Sequence, residues 1–352
     1  LTITITSGFA VGDGTAGDPY QIETAEQLYR VRNFLGAAYK DTYFWLTAPI
    51  DLSSYTNWEP IGDFANPFCG HFYGSIYDSE TEMYIPQAIS NLTINRSDAD
   101  DVGLFGYCSG ADIYGIAIKN ADVTGDNAVG ALVGQTANSP ERDTMISYCS
   151  ATGTVTAVNG FAVGGLVGMT TDTQVLCSYS TADVTGTLSN AGGLVGYLNS
   201  GSITNCYATG AVTSTGENNY AGGLVGWIYS ADCRIYYCYA AGKVMGEGET
   251  GGLIGHSNTY NISQSYFNIG NAGNSDDGSS GDGSKGTGVK VNNLVYRSSW
   301  FDDWDFDPYL DEIWRIDPGA SYPYLRENEQ IPHPAPPAAT SARIVEESGD
   351  SR

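Results

Sequence analysis

Basic residues are scarce in this chain. Of 352 residues, 15 are Lys or Arg against 40 Asp or Glu, and the net charge is −25. So acidic a surface repels phosphate backbones and anionic headgroups, which excludes nucleic acid and anionic membranes as partners and favours cations. No run of 18 apolar residues occurs, so nothing reads as a helix that spans a bilayer. The three histidines, His71, His256 and His333, fall in different segments. The chain lacks G-x-S-x-G, H-E-x-x-H and G-x-x-x-x-G-K, the arrangements that would announce a serine hydrolase, a zinc protease or a phosphate-binding loop. "GSKGTG" at 283–288 imitates the last of these without the preceding strand or following helix that the contact needs. There is no C-x-x-C pair, which argues against zinc. Carboxylates are abundant but sit mainly in turns, and the reading is of a protein that is not an enzyme.

What the chain has is glycine, 45 residues, tyrosine, 25 residues, and a phrase repeated. "VGLFGY" (102–107), "VGALVGQ" (129–135), "VGGLVGM" (163–169), "AGGLVGY" (191–197), "AGGLVGW" (221–227) and "TGGLIGH" (250–256) place leucines at Leu104, Leu132, Leu166, Leu194, Leu224 and Leu253, in steps of 28, 34, 28, 30 and 29 residues. A second phrase keeps pace: "ISYCSATGTV" (146–155), "VLCSYSTADV" (175–184), "ITNCYATGAV" (203–212) and "IYYCYAAGKV" (235–244), with "ISQSYFN" (262–268) beginning a fifth. Each unit reads as three short strands separated by Gly, Ser, Asn and Asp turns. Such a unit cannot bury its own apolar face, but stacked in parallel every strand gains a neighbour on both sides. The predicted fold is all-β, a parallel, right-handed β-helix.

The repeated phrase resembles the signature of the GLUG-repeat proteins, named for Gly-Leu-hydrophobic-Gly and found in large bacterial surface proteins and adhesins. The resemblance covers roughly residues 12–326 and includes "GDGTAGDPYQIETAEQLYRV" and "NWEPIG" as an opening segment, with "WDFD", "IWRID" and "SYPYLR" as a closing one. One departure is "HFYGSIYDSETEMYIPQAISNLTI" (71–94), where an insertion interrupts a usually compact run. The resemblance implies a β-solenoid fold and an extracellular setting; it implies no reaction. Leu1 in place of Met reads as a processed end.

The ends of a solenoid need covers. Thr24 and Gln27 have capping-box spacing, and Leu28, Val31, Phe34 and Leu35 share one helical face, so a capping helix is expected over about 25–35, stopped by Gly36. At the other end Trp300, Trp304 and Trp314 suggest an aromatic plug over the last coil. The organisation is therefore an N-terminal strand and entry loop (1–20), the solenoid with its helix (21–269), a Gly/Ser/Asp loop (270–288), a C-terminal cap (289–326) and a Pro-rich tail (327–352).

Cys149, Cys206 and Cys238 hold one position in successive repeats, with Ser178 and Ser265 taking it elsewhere. Rungs about 4.8 Å apart lie within disulfide reach, so Cys206 with Cys238 is a candidate bridge, against the reading of a column of buried thiols. In a straight G-G-L-V-G strand inward leucines leave the valines outward, together with residues two places on, and Met169, Tyr197 and Trp227 become a candidate interface stripe. In the alternative a bend at the glycines tucks both aliphatics inward, with the glycine after the pair as the corner residue. Asp276, Asp277 and Asp282 are candidate calcium ligands in a loop whose composition otherwise reads as a flexible linker. No other cofactor is expected. Asn91, Asn95 and Asn261 head N-x-S/T acceptor sequences. Leu1, Ile3 and Ile5 alternate with threonines in "LTITIT", a strand suited to pairing with its own first coil or with another subunit. The expected function is a secreted structural building block of a cell-surface filament or coat, a homopolymer joined through Leu1–Thr6 and Ile331–Ile344. The alternatives are an adhesin module binding glycan or a host or cell-surface protein, and, further off, a polysaccharide-degrading β-helix enzyme.

Overall fold

The computed structural model describes residues 8, 9, 11–79, 83–258, 261–269, 287–289, 301, 303–306, 313–318, 320–328, 330 and 333–335. Its strands stack coil upon coil into a parallel β-solenoid. One ladder has nine strands, running from Tyr20–Ile22 through Tyr43–Leu46, His71–Tyr73, Asp112–Tyr114, Thr144–Ser147 and Thr173–Leu176 to Ile262–Ser263. A six-stranded ladder carries the V-G-x-x segments, a five-stranded one the segments just before them, and a 14-stranded sheet completes the coil. Among the described residues the strand pairs are parallel except for two, Ser75–Asp78 with Met83–Ser90 and Trp314–Arg315 with Tyr324–Leu325.

The glycine phrase is a corner. Strand Asn190–Gly192 ends, Gly193 and Leu194 turn, and strand Val195–Leu198 begins in the next sheet. Leu194 and Val195 are both fully buried, as are the equivalent pairs in the other repeats, so the bend does tuck both aliphatics inward. The Leu194 and Val195 amides both donate to the Leu224 carbonyl one coil on, at 2.9 and 3.1 Å, and the same fork recurs from Leu166 and Val167 to Leu194. The corner residues are the second glycine and the leucine, however; the glycine after the pair, Gly196, lies within the following strand. Close approach explains the glycines here. A Cβ on Gly192 would lie 1.9 Å from the Val195 carbonyl oxygen, and one on Gly193 would lie 2.1 Å from that of Gly223.

The opposite corner explains the Cys/Ser column. Tyr148, Cys177, Asn205, Tyr237 and Gln264 each adopt a left-handed backbone, with φ between 45° and 55°, immediately before Cys149, Ser178, Cys206, Cys238 and Ser265. Each of those side chains then donates back to the carbonyl two residues earlier: Cys149 to Ser147 at 3.3 Å, Ser178 to Leu176 at 2.7 Å, Cys206 to Thr204 at 3.2 Å, Cys238 to Tyr236 at 3.1 Å and Ser265 to Ser263 at 2.8 Å. A small buried donor bracing a tight turn is what the position requires, and thiol and hydroxyl both serve. The candidate Cys206–Cys238 disulfide is therefore corrected: all seven cysteines are free and buried. Burial pushes the Cys149 thiol up to about 12, which keeps it protonated and donating.

The N-terminal helix spans Ala25–Arg30, shorter than 25–35, and continues as a tighter 3-10 turn over Val31–Asn33. The Thr24/Gln27 capping box forms in full, and Leu28 and Val31 are fully buried against the first coil. Phe9 stacks on Tyr20 at 4.8 Å and closes the same end with Phe34 and Phe44. Trp300 lies outside the described residues. Among the described residues of the C-terminal segment, Phe301, Trp304, Phe306, Trp314 and Tyr322 lie along the solenoid's flank rather than as a plug over the last coil. Tyr179, Tyr207 and Tyr239, each following a Cys/Ser rung, project outward and stack 4.8 and 5.0 Å apart with their planes within 6°. Trp304, Trp314 and Tyr322 cover this column. Asn328 reaches back to the carbonyls of Cys149 and Cys177 at 2.9 and 3.2 Å, and Tyr239 donates to Pro323 at 2.6 Å. The physical reason is that the column leaves an apolar flank several coils long. The loop assigned to 270–288 also yields its last residues to a strand, Thr287–Val289, which adds a rung beside Tyr266–Asn268.

Candidate functional site: an aromatic groove beneath the inserted hairpin

In the nine-stranded ladder alternation turns Phe44, Phe72, Ile113 and Ile146 into the core, where each is fully buried. The residues between them face out in two rows. Tyr43, His71, Asp112 and Met145 stand in register in one row, and Trp45, Tyr73, Tyr114 and Ser147 in the other. The insertion at 71–94 is a β-hairpin, Ser75–Asp78 against Met83–Ser90, whose second strand re-enters the coil. Its Tyr84 overhangs the outward rows. Together Tyr43, Trp45, Tyr73, Tyr84, Tyr114 and Tyr148 line a groove of about 590 Å³, a size typical of ligand sites. Trp45 is 41% exposed and Tyr84 48%. The rings touch edge to face in sequence, Tyr43 to Tyr73 at 6.1 Å and Tyr73 to Tyr114 at 6.2 Å, with Tyr114 tilted against Tyr148 at 5.1 Å.

A polar cluster braces one edge. Tyr73 donates its hydroxyl to Asp112 Oδ2 at 2.6 Å. Arg142 Nη1 donates to His71 Nε2 at 2.8 Å, and a guanidinium only donates, so the His71 proton sits on Nδ1, facing Asp112 Oδ2 at 3.3 Å and the Tyr73 oxygen at 3.1 Å. His71 lies flat on Tyr43, 3.9 Å between centroids. Arg142 also donates to the carbonyls of Lys40 at 2.8 Å, Cys69 at 2.6 Å and Gly110, which ties three coils together. Burial alone would raise the Asp112 carboxyl. Hydrogen bonds from His71 and Tyr73, with the charge of Arg142, outweigh it and hold the group below its ordinary value. Asp112 is thus a fixed anion at the groove's edge. Burial pushes Tyr73 well up and Tyr114 up to about 12, so both phenols stay neutral.

None of the groove's tyrosines was singled out from sequence. The available signal was the alternation in "YFWL", "HFY" and "DIY", where an aromatic residue recurs at an outward position. His71, isolated in sequence, meets Asp112; His256 meets Glu249 at 2.9 Å, and His333 meets Asp317. The candidate interface residues Met169, Tyr197 and Trp227 align, but Tyr197 is buried beneath Phe161, 4.8 Å between centroids. Gln135, Met169, Tyr197, Trp227 and His256 pair in register, and Tyr197 meets Trp227 at 5.1 Å although the valines beside them are buried. Asn91 donates to Asp51 at 2.9 Å and accepts from Asn120 at 2.7 Å; Asn261 donates to the Ala231 carbonyl at 2.9 Å; Asn95 is exposed at a strand end. Leu1, Ile3, Ile5, Asp276, Asp277 and Asp282 lie outside the described residues. Among the described residues no group of three or more His, Cys, Asp or Glu side chains is placed to hold a metal ion, and no helix is long and apolar enough to cross a membrane.

The architecture defines a scaffold of the β-solenoid class, with a corner phrase repeated from coil to coil. Residues 125–156, 187–213 and 217–245 match the GLUG motif, so the solenoid is built in part from GLUG repeats. It is similar to a protein of Evansella cellulosilytica named as a candidate Gly-rich membrane protein, 40% identical over 36% of this chain and 14% of that one. It is also similar to halomucin of Haloquadratum walsbyi, 34% identical over 51% of this chain and 2% of that one. The chain thus spans a small part of these relatives. A crystal structure from Bacteroides ovatus, described as that of a candidate immunoglobulin A1 protease, has the same fold, with a TM-score of 0.64 and 23% identity over 91% of this chain and 96% of that one. The relatives' names are consistent with a surface protein.

Proposed function

We propose that the chain is an extracellular binding module of a bacterial-type surface protein, and that the aromatic groove is where it holds its ligand. The observation that carries this reading is the open row of rings roofed by Tyr84, because the part of the hairpin that supplies the roof stands out from the coil: Ile76, Tyr77 and Ile85 on it are 39, 53 and 44% exposed, while only its returning end, at Ile89, enters the core. Exposed rings around a groove of ligand size are the usual dress of a recognition site. No catalytic step is assigned. The cluster of His71, Tyr73, Asp112 and Arg142 is closed on itself by hydrogen bonds and acts as a brace.

The building-block reading rests on Leu1–Thr6 and Ile331–Ile344. Of these, the described residues 333–335 fold back on their own chain, where the Pro334 carbonyl accepts from the Tyr322 amide at 2.6 Å. The test is to present the labelled protein to intact cells, mucin and matrix proteins, beside a Trp45→Ala/Tyr114→Ala variant, and to image both by negative stain with and without Ca²⁺. Saturable retention of the wild type, lost in the variant, is expected. Filaments with no retention on any surface would return the filament or coat role.

A further inference from the structure

The groove's chemistry narrows its ligand. Among the described residues no Lys, Arg or His lines it, the guanidinium of Arg142 is spent on three carbonyls and His71, and Asp112 stands at its edge as an anion. With a net charge of −25 behind it, this surface rejects uronates, sulfates, phosphates and sialylated ends. Its strongest donors are already committed. Trp45 Nε1 donates to the Ser75 carbonyl at 3.2 Å and Tyr73 to Asp112 at 2.6 Å. A proline-rich peptide, which offers carbonyl acceptors and needs donors, is poorly matched to such a surface. A small organic cation is matched in charge, but it wants ring faces converging on one point. Here the rings run in line, edge to face, over rungs about 4.8 Å apart, so the strip from Tyr43 to Leu176 extends over roughly 19 Å.

What remains is a ligand with hydroxyl donors, apolar C–H faces, no negative charge and an extended form. Resting on the binding-module reading, we propose that the groove is a site for an uncharged glycan chain laid along the solenoid axis. Sugar faces stack on Trp45, Tyr73, Tyr114 and Tyr84, and sugar hydroxyls donate to the Asp112 carboxylate. Asp112 is held in place by Tyr73 and by His71, which is itself oriented by Arg142, so the acceptor is set before the ligand arrives.

The experiment is calorimetric titration of the full chain with cellohexaose, maltohexaose, chitohexaose and mannohexaose, beside oligogalacturonate, decaproline and oligolysine. Binding of at least one neutral hexasaccharide is expected, weakened about tenfold or more by Trp45→Ala or Tyr114→Ala and less by Asp112→Asn. Each variant's unfolding midpoint is measured alongside, so that loss of binding is separated from loss of fold. Binding confined to oligogalacturonate, decaproline or oligolysine and abolished by Trp45→Ala would overturn the neutral glycan while leaving the binding module intact. Binding of a hexasaccharide that survives both aromatic substitutions would overturn the groove as its site. Absence of binding to all seven probes would overturn the glycan proposal, and retention on cells or matrix proteins in the preceding experiment would still tell that outcome from failure of the module itself.

Discussion

Two flanks of this solenoid carry outward aromatic ladders, and they have opposite fates. On one, Tyr179, Tyr207, Tyr239 and Tyr266 are at most 6% exposed, because the C-terminal segment lies over them with Trp304 and Trp314. On the other, Tyr43, Trp45, Tyr73 and Tyr114 form the floor of an open groove. Both arise in the same way, since a parallel stack repeats any outward residue at rung spacing. The covered ladder is part of the fold's stability. The open one, roofed by an inserted hairpin and otherwise left uncovered by the described residues, is free to be used.

That contrast fails if the two flanks respond alike to truncation. The largest effect is expected at Trp314, fully buried, with its indole donating to Asn205 at 3.2 Å and its ring 4.5 Å from Trp304. Trp314→Ala should cost about 3–5 kcal/mol in urea unfolding. Next comes Leu194→Ala in the corner, at about 2–5 kcal/mol. Because coupling runs between neighbouring coils, hydrogen exchange should quicken in residues 164–226 while helix Ala25–Arg30 stays protected. Uniform loss along the chain would argue against nearest-neighbour coupling.

A smaller effect, and one that depends on pH, is expected at Asp101. Burial first, then the charges of Asp100 and Asp63, push its carboxyl up to about 7. The folded state therefore prefers the protonated acid. Its contribution is fully present below the ordinary carboxylate value of about 3.9 and is lost as pH rises through about 7. Asp101→Asn should be more stable than the wild type at pH 8, with the advantage shrinking steadily toward pH 4. An advantage independent of pH would mean that ionisation is not the cause. The smallest stability effect is expected for Trp45→Ala on the open flank, within about 0.5 kcal/mol of the wild type. A cost there near that of Trp314→Ala would erase the distinction between the flanks.

The N-terminal helix was legible because its cap is local: Thr24 and Gln27 need only each other. Its length was overestimated because Phe34 and Leu35, read as part of the helical face, follow a 3-10 turn instead. The corner phrase was legible as a repeat, but which glycine turns depended on a carbonyl in the next coil, beside Gly193. The Cys/Ser column was legible in register. Its purpose emerged only with the left-handed residue before each rung, a backbone state that Tyr and Cys do not advertise. The groove was the least legible feature, since residues 71, 112 and 142 meet only after two coils have been laid down.

By itself the sequence determined the coil period, the alternation that sends leucine, valine and isoleucine inward, and the rows in which outward residues align. All of these follow from contacts between equivalent positions about one repeat apart, and a periodic sequence encodes such contacts directly. Only the tertiary structure decided which outward row is buried and which stays open. That choice rests with segments outside the repeat, the hairpin of Ser75–Asp78 with Met83–Ser90 and the C-terminal residues around Trp314 and Asn328. Where a non-repeating segment comes to rest depends on the apolar surface it finds rather than on any period.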